Sequence, residues 1–220
     1  MPRLPRSDHA DTVYHLINRA NARAMIFDTH RDYGAFEDIL ADAKEKTHMR
    51  VYAFVIMPNH WHLLVEPRAD GDLGRFMKWL TLTHTMRWHA VHDSVGRGHI
   101  YQGRYKSFPV QSDEYFLTVC RYIERNPVRA GLVQKPTDWQ WGSAWRRSEN
   151  KDETLLDEWT TPKPDSYDEW LNTSEEKSSL DSIRTSVNRG RPFGQNSWVS
   201  DMARTWNLGS SLHARGRPRK

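Results

Sequence analysis

The sequence predicts an α+β fold of ferredoxin-like, split-βαβ type: one antiparallel sheet with helices on it, followed by a polar C-terminal extension. Three observations predict it. Strand-like and helix-like periods alternate as β-α-β-β-α-β-α through the first two thirds of the chain. A Pro58-Asn59 turn signal joins two apolar strands into a hairpin, which makes the sheet antiparallel at that point. The intervening helical stretches are long enough to cover a sheet face.

Val13 to Asn18 (Val-Tyr-His-Leu-Ile-Asn) reads as the first strand. Arg31 to Lys46 carries Phe36, Ile39, Leu40 and Ala43 at helical spacing. Val51 to Met57 is a near-continuous apolar strand, and His60 to Glu66 is its hairpin partner. Leu73 to His92 is a second long helix, with Phe76, Met77, Leu80 and Trp88 as core candidates, broken by Gly96 and Gly98. Ile100 to Val110 alternates like a strand, with Gln102, Arg104 and Lys106 on one side. Asp113 is placed to cap a third helix that runs to about Arg125. Trp139, Trp141 and Trp145 are expected to close the domain at its edge, and residues 195–208 form a short helix.

Charge divides the chain further. Residues 1–150 hold 21 Lys/Arg and 17 Asp/Glu, residues 151–181 hold 3 and 10, and residues 182–220 hold 8 and 1. The expected organisation is a domain over 1–146, an acidic linker over 147–181, and a basic tail over 182–220 that binds polyanions. The single cysteine, Cys120, excludes an internal disulfide and any Cys-rich zinc module, which suits a reducing cytosol. No apolar run is long enough for a membrane span, and the first residues lack a signal-peptide pattern. A cytoplasmic, nucleoid-associated protein is expected.

The chemistry concentrates in Met57-Pro-Asn-His-Trp-His-Leu-Leu-Val-Glu66. Side chains two apart on a strand share a face, so His60 and His62 present two imidazoles to one point, and Trp61, Leu63 and Val65 go to the other face. Glu66 lies on the histidine face, where solvation is its expected state. In the third helix Tyr122 and Asn126 are four apart and share a face. A tyrosine oxygen can attack phosphorus, and a divalent ion on His60, His62 and the Asn126 carbonyl oxygen would polarise the phosphate. Mg²⁺ or Mn²⁺ suits such a mixed nitrogen and oxygen set. Tyr115 is the rival nucleophile, but Val119, not Asn, stands four residues after it. Asn126 before Pro127 has a second reading, as a helix cap. His84, His89, His92 and His99 match no metal spacing and read as surface or core residues.

These residues carry a family resemblance. Tyr14-His-Leu-Ile-Asn-Arg19, Met57-Pro-Asn-His-Trp-His-Leu-Leu64, Gln102-Gly-Arg-Tyr-Lys106 and Tyr122-Ile-Glu-Arg-Asn-Pro-Val-Arg-Ala-Gly131 resemble the REP-associated tyrosine transposases, within the single-tyrosine HUH transposases. The resemblance covers about residues 1–146 and leaves the last 75 or so unexplained. It implies a nuclease that nicks and rejoins single-stranded DNA folded into palindromic hairpins. Tyr122 would then be the nucleophile, and His60, His62 and Asn126 the metal ligands. The enzyme would be a monomer or a homodimer. The alternative is a hairpin-binding protein or repressor without catalysis; a replication initiator or relaxase would carry a second catalytic tyrosine or larger added domains.

Arg19 and Arg23 after the first strand, Arg104 and Lys106 on the strand face, and Arg121, Arg125 and Arg129 around Tyr122 are the candidate phosphate contacts. In the tail, Arg189-Gly-Arg-Pro192 and Arg215-Gly-Arg-Pro-Arg-Lys220 resemble minor-groove-reading hooks, with Arg189, Arg191, Arg215 and Arg217 as the contacts.

Overall fold

Four strands, β1 (Val13–Arg19), β2 (Arg50–Met57), β3 (His60–Glu66) and β4 (Lys106–Val110), form one sheet in the order β2-β3-β1-β4. Every neighbouring pair is antiparallel. β1 and β2 therefore run parallel with β3 between them, and β3 and β4 run parallel with β1 between them, which is the split-βαβ arrangement used twice. The structure is a computed structural model that describes residues 7–149 and 154–213. The predicted α+β class and the strand order of a ferredoxin-like sheet are both present.

The two crossovers are α1 (His30–Thr47) and α2 (Asp72–Val91). A capping box starts α1: the Asp32 N–H donates to Thr29 Oγ1, and the Thr29 N–H donates to the Asp32 carboxylate. Both helices cover one sheet face, where Phe36, Ile39, Leu40, Phe76, Met77 and Leu80 pack with Trp61, Leu63 and Val65. His84 lies in this core, its Nδ1 2.7 Å from the Tyr101 hydroxyl and its ring stacked on Phe27. Helix α3 (Glu114–Glu124) covers the opposite face, placing Phe116, Val119, Cys120 and Ile123 with Tyr52, Val55 and Leu64. Trp139 and Trp141 close the outer edge of β2: the Trp139 Nε1–H donates to the Ile56 carbonyl at 3.0 Å, and the Ile56 N–H donates to the Trp141 carbonyl at 2.8 Å.

Three local expectations are corrected. The strand predicted from Ile100 holds only from Lys106. Tyr101 bridges Ala20 and Lys106 pairs with Ile17, so Asn18 and Arg19 of β1 face the four residues from Gln102 to Tyr105. The surplus bulges out of the ladder, with Gly103 at its centre. Asp113 makes no side-chain cap; it has φ 74°, and the helix starts without one. Glu66 is not solvated: it is 5% exposed, paired with Arg50 and hydrogen-bonded by the Tyr52 hydroxyl at 2.9 Å. Both partners reach it from β2, across the hairpin.

The largest correction concerns the segment expected to be a linker. Leu155 and Leu156 enter the α1/α2 core, and Trp159 packs on Phe116 while donating to the Tyr52 carbonyl at 3.0 Å. Helices α4 (Asn126–Arg129), α5 (Ser143–Ser148), α6 (Tyr167–Asn172), α7 (Lys177–Arg189) and α8 (Asn196–Thr205) follow α3 among the described residues. Glu124, 2% exposed, ties α5 and α6 to the end of α3 by accepting from Ser143, Arg147 and Tyr167. Acidic composition concealed a docked element because its apolar anchors are few among charged and polar neighbours. Among the described residues no helix is long and apolar enough to cross a membrane.

Candidate active site

The β1/β3 register builds one wall of the site. Ile17 lies opposite His62 and Arg19 opposite His60, so His15, Ile17 and Arg19 share the face of the two histidines. The His60 and His62 ring centroids are 5.1 Å apart with planes at 75°. His60 Nδ1 lies 2.7 Å from Asn59 Oδ1, and His62 Nδ1 lies 2.8 Å from His15 Nε2. In both rings Nδ1 is engaged and Nε2 has no hydrogen-bond partner among the described residues. A second-site partner on one ring nitrogen is how proteins orient a metal-binding imidazole.

Both histidines are held neutral. Burial, with the charge of Arg19 opposite, lowers the His60 pKa to about 4. Burial holds His62 well below its ordinary value, and His15, His60, Arg129 and Arg19 act the same way. His15, wholly buried, is lowered to about 3 by desolvation. Neutral imidazole is the form that binds a cation.

Helix α3 and the turn after it supply the other wall. α3 ends at Glu124, Arg125 caps it, and α4 begins at Asn126 with Pro127 in its first turn. The backbone still winds helically across the junction, with Arg129 N–H to the Arg125 carbonyl and Ala130 N–H to the Asn126 carbonyl, each at 3.0 Å. Tyr122 and Asn126 are thereby one turn apart. Asn126 is the first residue of α4 and Arg125 holds the cap position before it, so Asn126 does not stand at the cap. The Tyr122 ring lies edge-on to His62 at 5.9 Å and to His15 at 6.1 Å between centroids.

His60, His62, Tyr122 and Asn126 all line one open cleft of about 620 Å³. The donors fit a hard or borderline divalent cation: two neutral imidazoles, an uncommitted amide, and open space for further oxygen ligands. Among the described residues no three His, Cys, Asp or Glu side chains cluster in metal-holding fashion; Asn126 lines the same cleft as the two histidines. Tyr115 lines a different pocket and packs its ring on Phe193.

The expected phosphate contacts separate by location. Arg19, Arg104 and Lys106 line the cleft, with Arg104 exposed on the bulge. Arg23 is exposed on the turn after β1 and does not line it. The Arg121 guanidinium sits 5.1 Å from the Trp170 ring centroid. Arg125 and Arg129 are turned into the protein: Arg125 donates to the Leu171 carbonyl and to Glu175, both at 2.7 Å, and Arg129 donates to Glu175 and to the Tyr122 carbonyl. The first hook-like motif is not an extended tail. Arg189 ends α7 and donates to the His213 carbonyl, Gly190 caps the helix at φ 69°, and Phe193 bridges to Val110 on the β4 edge. Arg191 lines the pocket beside Tyr115. The second motif, with Arg215 and Arg217, lies outside the described residues.

Three groups at the site escaped the sequence reading. His15 had a usable signal, a polar residue in an apolar strand at the same parity as the cleft-facing positions. Gln102 lines the cleft, and the sequence marks it only as a strand residue within the Gln102-Gly-Arg-Tyr-Lys106 motif. Arg184, Val187 and Asn188 of α7 wall the cleft opposite β1, and Asn188 Oδ1 accepts from Lys106 Nζ at 3.2 Å. Nothing local in the sequence announces that long-range contact.

Residues 9–126 match the family model described as Transposase IS200 like. The chain is 22% identical over 140 residues to the REP-associated tyrosine transposase of Escherichia coli (strain K12), an alignment covering 61% of this chain and 77% of that protein. It is also similar to a solved structure of a REP-associated tyrosine transposase bound to a REP hairpin, at a TM-score of 0.55 and 18% identity, over 80% of this chain and 93% of that one. At that identity the likeness speaks to fold. The matched region runs from just before β1 to Asn126 and so contains every residue of the proposed centre. The chain belongs to the IS200-like transposase family, enzymes that cleave and join DNA.

Proposed function

We propose that this protein is a metal-dependent endonuclease and strand-transferase acting on single-stranded DNA folded into repeat hairpins. One observation carries the reading: His60, His62, Asn126 and Tyr122 line the same cleft. Tyr122 Oη attacks a backbone phosphorus; the Oη–P bond forms, the bond from phosphorus to the 3′ oxygen breaks, and a 5′-phosphotyrosine and a 3′-hydroxyl result. A 3′-hydroxyl reverses the step and rejoins strands. His60, His62 and Asn126 would hold Mg²⁺ or Mn²⁺, which would supply polarisation of the scissile phosphate. Arg19, Arg104 and Lys106 track the adjoining backbone.

The hairpin substrate is supported by the relative whose solved structure is bound to one. The test is incubation with hairpin oligonucleotides and Mn²⁺. The wild-type protein nicks the strand and retains one end covalently; His60→Ala and His62→Ala bind DNA but do not nick. Nicking that persists in both variants, or in excess chelator, contradicts the proposal.

A further inference from the structure

The C-terminal extension reaches the nucleophile through one carboxylate. Glu175 lies in the turn between α6 and α7, and its side chain is 4% exposed. Its two oxygens are divided between an arginine that caps α3 and one that ends α4: Oε2 accepts from Arg125 Nε at 2.7 Å, and Oε1 pairs with Arg129. The Arg129 guanidinium lies 4.2 Å from the Tyr122 ring centroid and also donates to the Tyr122 carbonyl. That carbonyl sits where the helix passes from α3 to α4, so Arg129 braces both the ring and the backbone of the same residue.

This arrangement is unstable without Glu175. Two guanidinium groups, one turn apart and with side chains only 8% and 18% exposed, would repel each other in a poorly solvated space. Arg129 would be driven toward water, and its hold on Tyr122 would be lost. A guanidinium stacked on a phenol ring fixes the orientation of that ring. We infer that Glu175 is a positioning residue for Tyr122, acting by holding the Arg129 guanidinium against the Tyr122 ring and carbonyl. The inference rests on the reading of Tyr122 as nucleophile.

The test combines a double-mutant cycle with a readout at Tyr122 itself. In single-turnover reactions with a hairpin oligonucleotide and Mn²⁺, Glu175→Gln is expected to slow adduct formation about tenfold, while hairpin affinity stays within about twofold of wild type. Arg129→Gln slows it comparably, and the double variant is no slower than Arg129→Gln alone. Separately, a fluorinated tyrosine placed at position 122 is observed by ¹⁹F NMR at fixed pH without DNA or metal. Glu175→Gln is expected to move its resonance in the same direction and by a comparable amount as Arg129→Gln, because both variants take the guanidinium from the ring. A Glu175→Gln resonance that stays at the wild-type position overturns the inference, as does a double variant in which the two losses multiply. If Glu175→Gln does not fold, Glu175→Asp, which withdraws the carboxylate by one methylene, is read against the same expectations. If the wild-type protein forms no adduct, the nucleophile assignment fails, and the ¹⁹F resonance still decides whether Glu175 governs the surroundings of Tyr122.

Discussion

His15 shows how much of the site depends on a residue that touches no substrate. It is wholly buried, packs on Phe108 at 4.8 Å between centroids, and meets His62 through a single nitrogen contact. For His62 to ligate through Nε2, its Nδ1 must carry the proton and donate to His15 Nε2. The His15 Nδ1 has no partner among the described residues, so the ring is fixed only by packing and by this bond. His15→Phe preserves the packing and removes the bond; Mn²⁺ affinity measured by titration calorimetry is expected to fall about 10- to 100-fold. Undiminished affinity would show that His62 needs no such support. On the cleft rim, Arg104→Ala is expected to weaken hairpin binding and reduce the slope of log Kd against log salt by about one, measured by fluorescence anisotropy. An unchanged slope would remove Arg104 from the phosphate path.

At the scale of elements, the sequence was most readable where one period repeated over many residues. α1 begins within one residue of its predicted start, because Thr29 and Asp32 form a capping box and Phe36, Ile39, Leu40 and Ala43 mark its buried side. β3 was readable for the same reason: His60 and His62 alternate with Trp61 and Leu63, and the structure places the two sets on opposite faces. The bulge at Gln102–Tyr105 was not readable, since its alternation continues through a stretch that pairs only at Tyr101 and from Lys106. The acidic extension misled for a different reason. Its composition is that of a solvated segment, yet Leu155, Leu156 and Trp159 are enough to dock it, and such pairing is set by tertiary contacts far away in sequence. Trp159→Ala should therefore cost about 3 kcal/mol in urea unfolding, because it removes a buried ring and the bond to the Tyr52 carbonyl. A loss under about 0.5 kcal/mol, typical of surface positions, would mean the segment is not docked.

The whole molecule carries several histidines that folding keeps uncharged. His15 and His84 are each lowered to about 3 and His60 to about 4, mainly by burial. In the unfolded chain each titrates near its ordinary value of about 6.5. Between the two values the unfolded state binds more protons, so stability rises with pH and is lost as pH falls through this window. In chelator, unfolding free energy is expected to decline from about pH 6.5 downward, by about 2 kcal/mol for each such histidine at pH 5. A flat profile between pH 7 and pH 4 would contradict the burial of these rings. The same scale explains why the site is shared between parts of the chain: the sheet face gives the imidazoles, α3 and α4 give Tyr122 and Asn126, and α7 walls the cleft with Arg184 and Asn188.

The most direct measurement of the central claim is peptide mass spectrometry on the covalent complex formed with a Mn²⁺-activated hairpin oligonucleotide. The nucleotide mass is predicted on the peptide containing Tyr122, and the Tyr122→Phe protein, folded and still binding the hairpin, is predicted to give none. A nucleotide found on Tyr115, or an adduct that survives in Tyr122→Phe, would contradict the account.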